Sequence, residues 1–452
     1  MFIRTLATIY GIFTNNFSII FFRKSMSTGQ MSTEQHVSGK REMLLLATLA
    51  LVQFTVVVDF LVMAPLGPKL MKLWGITTQQ FGLAVSAYVF TAGICGFLGA
   101  FFIDKFDRKR VVTFAFAGFT LGTIACGLAP SYLALVAARV FTGVFGGIMG
   151  TMVFAIIADA LPLERRGRSF GVVTASFSLA SIFGVPGGLY FANVFDWHAP
   201  FLILGGLAVI VQFFIAAFIP NVTAHLNAPP RNPIQIIQGI TTDRNQLRAL
   251  LLVMCLAIGQ FSVLPFITPY LVTNVGLSET QLPLLYLIGG ICTVITSPII
   301  GILSDKIDKR IMYTIAAIIS IIPIFLITNF AAGVSLVIVF AASSLMFMTI
   351  NGRMIPGMAT VQGTVTPQNR GSFTSISTAV QQVSSGLATF GAGFLVHKGA
   401  DGLLVNYNIV GFVAIAFTII SILIIRGIRQ VEVPHYAAFA AKAQPATAAE
   451  QK

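Results

Sequence analysis

Three ionisable residues lie deep inside apolar runs of the chain: Asp59, Arg139 and Arg353. At the centre of a membrane helix such a residue costs roughly 2.5–3.5 kcal/mol on insertion scales, so those that are kept face a cavity or one another. The chemistry open to this set is ion pairing and proton exchange. Asp59 is the one carboxylate so placed after Met43, which makes it the candidate proton carrier, and Arg139 is its natural counter-charge. Counting at 1.5 Å per residue from the ends of their runs puts both roughly 10–12 Å below the same face. There they can pair across neighbouring helices and separate when Asp59 is protonated or a solute arrives; a static structural pair is the plainer alternative. Arg353 lies nearer the opposite face, where it either snorkels to the interface or meets an anionic group. Gln53, Gln260, Asn351 and Gln381 are uncharged candidates for lining a path, with Gln260 foremost.

These residues are positioned by long apolar segments. Only 10% of residues are charged and 56% are hydrophobic, with 40 Phe. That is too few charges to cover a water-facing surface, since soluble domains carry roughly 25%. The outside must face lipid. A bilayer core needs roughly 20 apolar residues as a helix. Runs of that kind fall near 43–66, 79–103, 111–129, 131–158, 169–194 and 199–219, then near 249–273, 281–302, 311–329, 333–358, 372–397 and 405–425. The twelve form an all-α membrane protein, because lipid offers the backbone no hydrogen bonds. The division is an extension at 1–42, a first six-helix bundle at 43–220, a linker at 221–248, a second bundle at 249–426 and a tail at 427–452. Translation is read as beginning at Met26 or Met31, although the apolar segment 5–22 has two other readings, a signal peptide without a clean cleavage site and an additional helix.

Lys and Arg gather in alternate intervals, as at Lys105, Arg108, Lys109 and Arg110, at Arg165, Arg166 and Arg168, and at Lys306, Lys309 and Arg310, whereas the other side holds Lys69, Lys72 and Lys398. Positive charge collects in cytoplasmic loops, so both termini are expected in the cytoplasm of a plasma-membrane (inner-membrane) protein. The net charge of +13 is then a topology signal, and nucleic acid is not an expected partner.

One charged phrase occurs twice: "DKFDRKR" at 104–110 and, about two hundred residues later, "DKIDKR" at 305–310, each after the second run of its half. A second match pairs "PLERRGRSF" (162–170) with "PQNRGSF" (367–373). Two halves of like orientation are the signature of an internal repeat. This pattern resembles the major facilitator superfamily over nearly all of 43–426. That family carries "G-x-L-a-D-r-x-G-r-k-x" after helix 2; the chain reads "AFFIDKFDRKR" and "GILSDKIDKR", with Ala100 and Asp107 in place of the two glycines in the first copy and Asp308 in place of the second glycine in the other. "RVFTGVFGG" is similar to the family's helix 4 phrase, with Gly143 and Gly146 matching and Thr142 in place of Gln. "SIFGVPGG" resembles the antiporter phrase of drug exporters through Gly184, Pro186, Gly187 and Gly188, with Ala180 replacing its first glycine; ordinary packing of a kinked helix is the alternative.

The resemblance implies two six-helix bundles related by pseudo-two-fold symmetry, with helices 1, 4, 7 and 10, which hold all three buried charges, lining a central path. It also implies a cytoplasmic gate in which Asp104, with Arg108 or Arg110, latches onto the start of helix 11, and Asp305, with Lys309 and Arg310, does the same opposite helix 5. Loop charges that only set orientation are the competing reading. The expected function is proton-coupled efflux of small amphipathic or drug-like compounds by alternating access. Alternatives are a permease or exporter of a sugar or other small metabolite, and a non-transporting membrane sensor. No enzyme is expected, because no paired carboxylates face a common loop and "GVFGGIMG" sits within a span without a preceding strand. Cys95, Cys126, Cys255 and Cys292 show no metal-type spacing. No cofactor and no metal is expected beyond a proton gradient as energy source, and the functional unit is expected to be a monomer.

Overall fold

The computed structural model describes residues 39–103, 106–161, 163–222, 238–240, 242–366 and 370–431. Twelve long helical elements are laid out among them. The first half holds α1 (Gly39–Val62), α2 (Thr78–Phe102), α3 (Arg108–Gly127), α4 (Tyr132–Ala160), α5 (Leu163–Leu179, Ala180–Gly184 and Val185–Val194) and α6 (Ala199–Phe218). The second holds α7 (Arg244–Phe261 and a short irregular extension), α8 (Leu282–Lys306), α9 (Lys309–Thr328), α10 (Leu336–Gln362), α11 (Arg370–Leu395) and α12 (Tyr407–Arg426). The extension at 1–42 and the linker at 221–248 lie mostly outside the described residues, as does the tail beyond 431.

Eleven of these helices are both long and apolar enough to cross a membrane. The twelfth, α11, has the length, 26 residues, but is diluted by Ser377, Gln381, Gln382, Ser384, Ser385 and Thr389. It tolerates them because it is an interior helix: Ser377, Ser384, Ser385 and Thr389 are buried, and Thr389 donates to the Phe261 carbonyl of α7 at 3.0 Å. By contrast Phe114, Leu133, Phe213 and Val337 stand exposed on the outside, where acyl chains would cover them.

Helix boundaries follow local chemistry. Thr77 and Gln80 form a capping box at the start of α2, and Ser131 caps α4, each satisfying an orphan amide. The expected first span at 43–66 instead begins at Gly39 and ends at Val62; an eight-residue helix, Gly67–Trp74, follows and closes on Gly75 at φ +62°. In α5, Pro186 cannot donate an amide hydrogen bond. The helix absorbs this with a π-helical turn over Ala180–Gly184. In α7, Pro265 and Pro269 turn the extension into a 3₁₀ turn, a short α segment and a π turn that stops at Gly276, φ +86°.

Each half has its own apolar core. One holds Leu49, Phe116, Phe119, Met149 and Val153; the other holds Leu252, Leu256, Tyr313 and Ile425. A further cluster belongs to both halves, bringing Met63, Phe81 and Trp197 together with Phe266, Tyr270 and Tyr407. The halves therefore share a packed core at the end of the molecule that holds the Gly67–Trp74 helix.

Candidate functional site

Asp59 of α1 and Arg139 of α4 meet inside the first half. Arg139 Nη1 donates to Asp59 Oδ2 at 2.6 Å and also to the Asp59 carbonyl at 3.4 Å, and both side chains are fully buried. Thr123 of α3 donates its hydroxyl to Asp59 Oδ1 at 3.1 Å. The guanidinium lies over the Tyr88 ring of α2, 4.5 Å from its centre, a cation–π contact that desolvation strengthens. Among the described residues Arg139 Nε and Nη2 are buried without an oxygen or nitrogen partner, so the guanidinium depends on its carboxylate. Small residues let four helices converge here. A Cβ at Gly143 would strike the Tyr88 carbonyl and one at Gly146 its hydroxyl, and one at Gly147 would strike the Ala92 backbone of α2. The glycines of "RVFTGVFGGIMG" thus press α4 onto α2 and hold Arg139 above Tyr88.

Arg353 sits in the core of the second half. It is 2% exposed, which overturns the snorkelling alternative: burial against α9 and α12 leaves it no route to the interface. Its Nη1 donates to Thr418 of α12 at 3.0 Å, its Nε is unpartnered, and no carboxylate among the described residues pairs with it.

A small, partly open pocket with about 70 Å³ of free space lies between the halves. On the first-half side Phe60, Val85, Phe177, Ser181 and Val185 form its wall; on the other stand Gln260, Phe261, Tyr286, Thr293, Phe347 and Asn351. Gln260 and Asn351, two candidates from sequence, line it. Gln53 does not, and its Oε1 is buried without a partner. Of the expected helices 1, 4, 7 and 10, α1, α7 and α10 line this pocket, whereas no residue of α4 and none of the three buried charges does. The reason is that α4 is drawn onto α2 by its glycines, so the pair is folded into the bundle behind Phe60. Phe60 stacks on Tyr88 at 5.9 Å and leans on Phe261 of the other half at 5.8 Å. One aromatic relay, Phe261–Phe60–Tyr88, therefore runs from the pocket to the ion pair.

In the antiporter-like stretch, Gly184 and Gly188 press α5 onto Val58 and Val62 of α1, while a Cβ at Gly187 would meet nothing within 4 Å. Gly187 is thus not a packing residue; with Pro186 it faces a groove shared with α8.

The described residues of the charged loops pair locally. Asp104 lies outside the described residues, and of Asp305 only the backbone, in α8, is described. Arg108 Nε lies 2.9 Å from Asp159 at the end of α4, an ion pair within the first half. Arg310 forks onto Asp308 at 2.8 and 3.2 Å. Lys309 begins α9, and Arg110 is exposed. Asp107 and Asp308, read in the sequence as departures from glycine, are the N-caps of α3 and α9: they accept from the amides of Lys109 (3.1 Å) and Arg310 (2.7 Å). The signal was available, since Asp directly before a helix start is a capping pattern.

The sequence reading missed contacts that join the halves at the shared core. Lys69 donates to the Ala192 carbonyl at 2.5 Å and lies 3.8 Å from Glu279 of the second half. Asn193 donates to the Glu279 carbonyl at 3.2 Å, and Thr78 donates to the Val396 carbonyl. Between α2 and α11, glycines meet backbone: a Cβ on Gly82 would lie 3.2 Å from the Thr389 carbonyl oxygen and 3.4 Å from Gly393 Cα. This end is sealed.

The family model of the Major Facilitator Superfamily matches residues 49–247 and 249–450. The chain belongs to this superfamily. As a member it is a carrier and not an enzyme, a protein of many spans whose cargo is a small molecule. It is 27% identical over 378 residues to the uncharacterized MFS-type transporter YceJ of Bacillus subtilis, covering 81% of this chain and 92% of that one. It is 23% identical over 261 residues to a probable sugar efflux transporter of Helicobacter pylori, covering 57% and 65%. The fold is similar to the crystal structure of a D-xylose–proton symporter, with a TM-score of 0.71 at 14% identity over 86% of this chain and 98% of that one.

Proposed function

We propose that this carrier exports small amphipathic compounds across the plasma membrane in exchange for protons, working as a monomer with both termini in the cytoplasm. The observation that carries the reading is the aromatic relay from the pocket to the one fully buried carboxylate among the described residues. A solute that displaces Phe60 or Phe261 moves Tyr88, and with it the guanidinium that Asp59 holds. Protonation of Asp59 frees Arg139 and acts in the opposite direction along the same relay. Binding and protonation are then coupled through one mobile element. Alternation opens the sealed end by parting Lys69 from Glu279 and sliding α2 along α11, while the charged loops, Asp104 and Asp305 among them, close the other end. The π-helical turn and Pro186 give α5 the compliance for this motion. No cofactor enters the cycle; a proton gradient supplies the energy.

The test is counterflow and pH-driven uptake in proteoliposomes. Asp59→Asn is expected to keep substrate exchange and lose accumulation driven by an imposed pH gradient; full accumulation by this variant overturns the proton role. A second reading, export of a sugar, is favoured by the Helicobacter pylori relative and by a pocket that pairs aromatic faces with amide side chains. A labelled sugar panel in the same vesicles separates the two.

A further inference from the structure

The pocket's two walls differ in what they offer a solute. The first half contributes Phe60, Leu61, Val85, Phe177 and Val185, and its one hydroxyl there, Ser181, already donates to the Phe177 carbonyl at 3.1 Å. The second half contributes the groups with hydrogen-bonding capacity to spare. Gln260 is 8% exposed, and among the described residues neither its amide nor the Thr293 hydroxyl has a protein partner. Asn351 uses one amide hydrogen, in a long 3.5 Å contact to the Phe347 carbonyl, and keeps its oxygen free. These groups are not sealed off, so a solute's polar edge can take the place of water on them.

Charge narrows the class further. No Asp, Glu, Lys, Arg or His among the described residues lines the pocket. Behind the walls, Asp59 and Arg139 cancel, and Arg353 adds one uncompensated positive charge. Protonation of Asp59 makes the sum more positive. A permanent cation would therefore leave water for a site with no counter-ion and a positive surrounding field, which is unfavourable in both protonation states. An anion gains little, because Arg353 is buried behind Thr418 and no cation reaches the wall.

We infer that the central pocket takes an uncharged amphipathic solute and refuses a permanent cation, laying the solute's apolar face on the first half and reading its hydrogen-bonding edge through Gln260, Thr293 and Asn351. The inference rests on the carrier reading, and it separates this chain from exporters of cationic dyes.

Three probes of similar size test it by equilibrium dialysis against the purified full-length protein in detergent: neutral triphenylphosphine oxide, cationic methyltriphenylphosphonium and anionic triphenylacetate. The oxide is expected to bind at least about tenfold more tightly than either ion. Gln260→Leu should weaken the oxide by about three- to tenfold, as expected for one lost hydrogen bond, and leave the phosphonium unchanged. Gln260→Glu should shift the ratio toward the phosphonium by about tenfold or more. Monodispersity on a sizing column is required of each variant, and the wild-type preference stands as a test even if one fails to fold. Equal or tighter binding of either ion, binding of none of the probes, or an oxide affinity indifferent to Gln260→Leu overturns the inference. The carrier reading fails separately: binding preference without exchange in vesicles sinks transport and leaves the pocket chemistry standing, whereas exchange without preference sinks the pocket chemistry alone.

Discussion

The two halves each bury an arginine, and they treat it differently. Arg139 has a carboxylate at 2.6 Å, an aromatic face and a threonine-braced partner. Arg353 has a hydroxyl at 3.0 Å and, among the described residues, no carboxylate. Desolvating a guanidinium costs several kcal/mol in either place, but only the first site returns part of that cost through Coulomb attraction. On the proposed reading, the first half carries the switch, a pair that parts, whereas the second carries a fixed charge and the polar wall that meets the solute.

The largest expected effect breaks this comparison directly. Arg139→Leu strands Asp59 in the core and should cost about 3–5 kcal/mol, read as a large loss of thermal stability in detergent. Asp59→Asn with Arg139→Gln in one chain should cost less than Arg139→Leu alone. Arg353→Met removes a charge that lacks a counter-ion and should be neutral or stabilising; a loss comparable to that of Arg139→Leu would show that the second site is paired after all. Next in size is packing. Gly147→Val drives a side chain into the Ala92 backbone and should cost about 1–3 kcal/mol or more. Gly187→Ala meets open space and should stay within about 0.5 kcal/mol, although both glycines belong to motif-like phrases.

The ion pair and the pocket were legible to different degrees, and for physical reasons. Asp59 and Arg139 stand out in sequence because charge inside a membrane run is costly, and their depth could be counted. Which side of a helix a residue faces could not be counted, because it depends on the glycine contacts that turn α4 toward α2. The pocket is therefore lined by residues of α1, α2, α5, α7, α8 and α10 that carry no charge to announce them. Eleven of the twelve helices were readable from apolar length, α11 being diluted by its polar residues, and at α5 and α7 proline changed the hydrogen-bond pattern without changing the apolar run. Asp107 and Asp308 were visible but were measured against a glycine and not against the helix that follows them.

Those two caps sharpen the comparison on a smaller scale. Asp107→Ala should cost more than Asp308→Ala, because Asp107 also accepts from the Val222 amide at 3.0 Å, tying the chain beyond α6 to α3; cap losses are typically about 1 kcal/mol. The Arg310 guanidinium fork holds the Asp308 carboxyl down, to about 2 from an ordinary 3.8. A carboxyl lowered in the fold stabilises it above the unfolded value, so this contribution is complete above about pH 4 and fades as the pH falls toward 2. Partial exposure and salt screening keep it small. Asp308→Asn should flatten that part of an acid-unfolding profile, and an unchanged profile would count against the fork. The smallest effect belongs to Glu279→Gln, which removes the half-exposed pair with Lys69 and should shift opening of the sealed end by at most about 1 kcal/mol, less at high salt. Accessibility of a cysteine placed at Thr280 reports it.

Where α2 and α11 cross, glycine and backbone form much of the contact, and few long side chains interlock. A joint of that kind has few rotamers to unlock before its members part. The barrier to opening should then come mainly from the apolar cluster around Phe81, Phe266 and Tyr407 being wetted. The rate of turnover would consequently track temperature and chaotropes, as hydrophobic burial does, more closely than it tracks ionic strength.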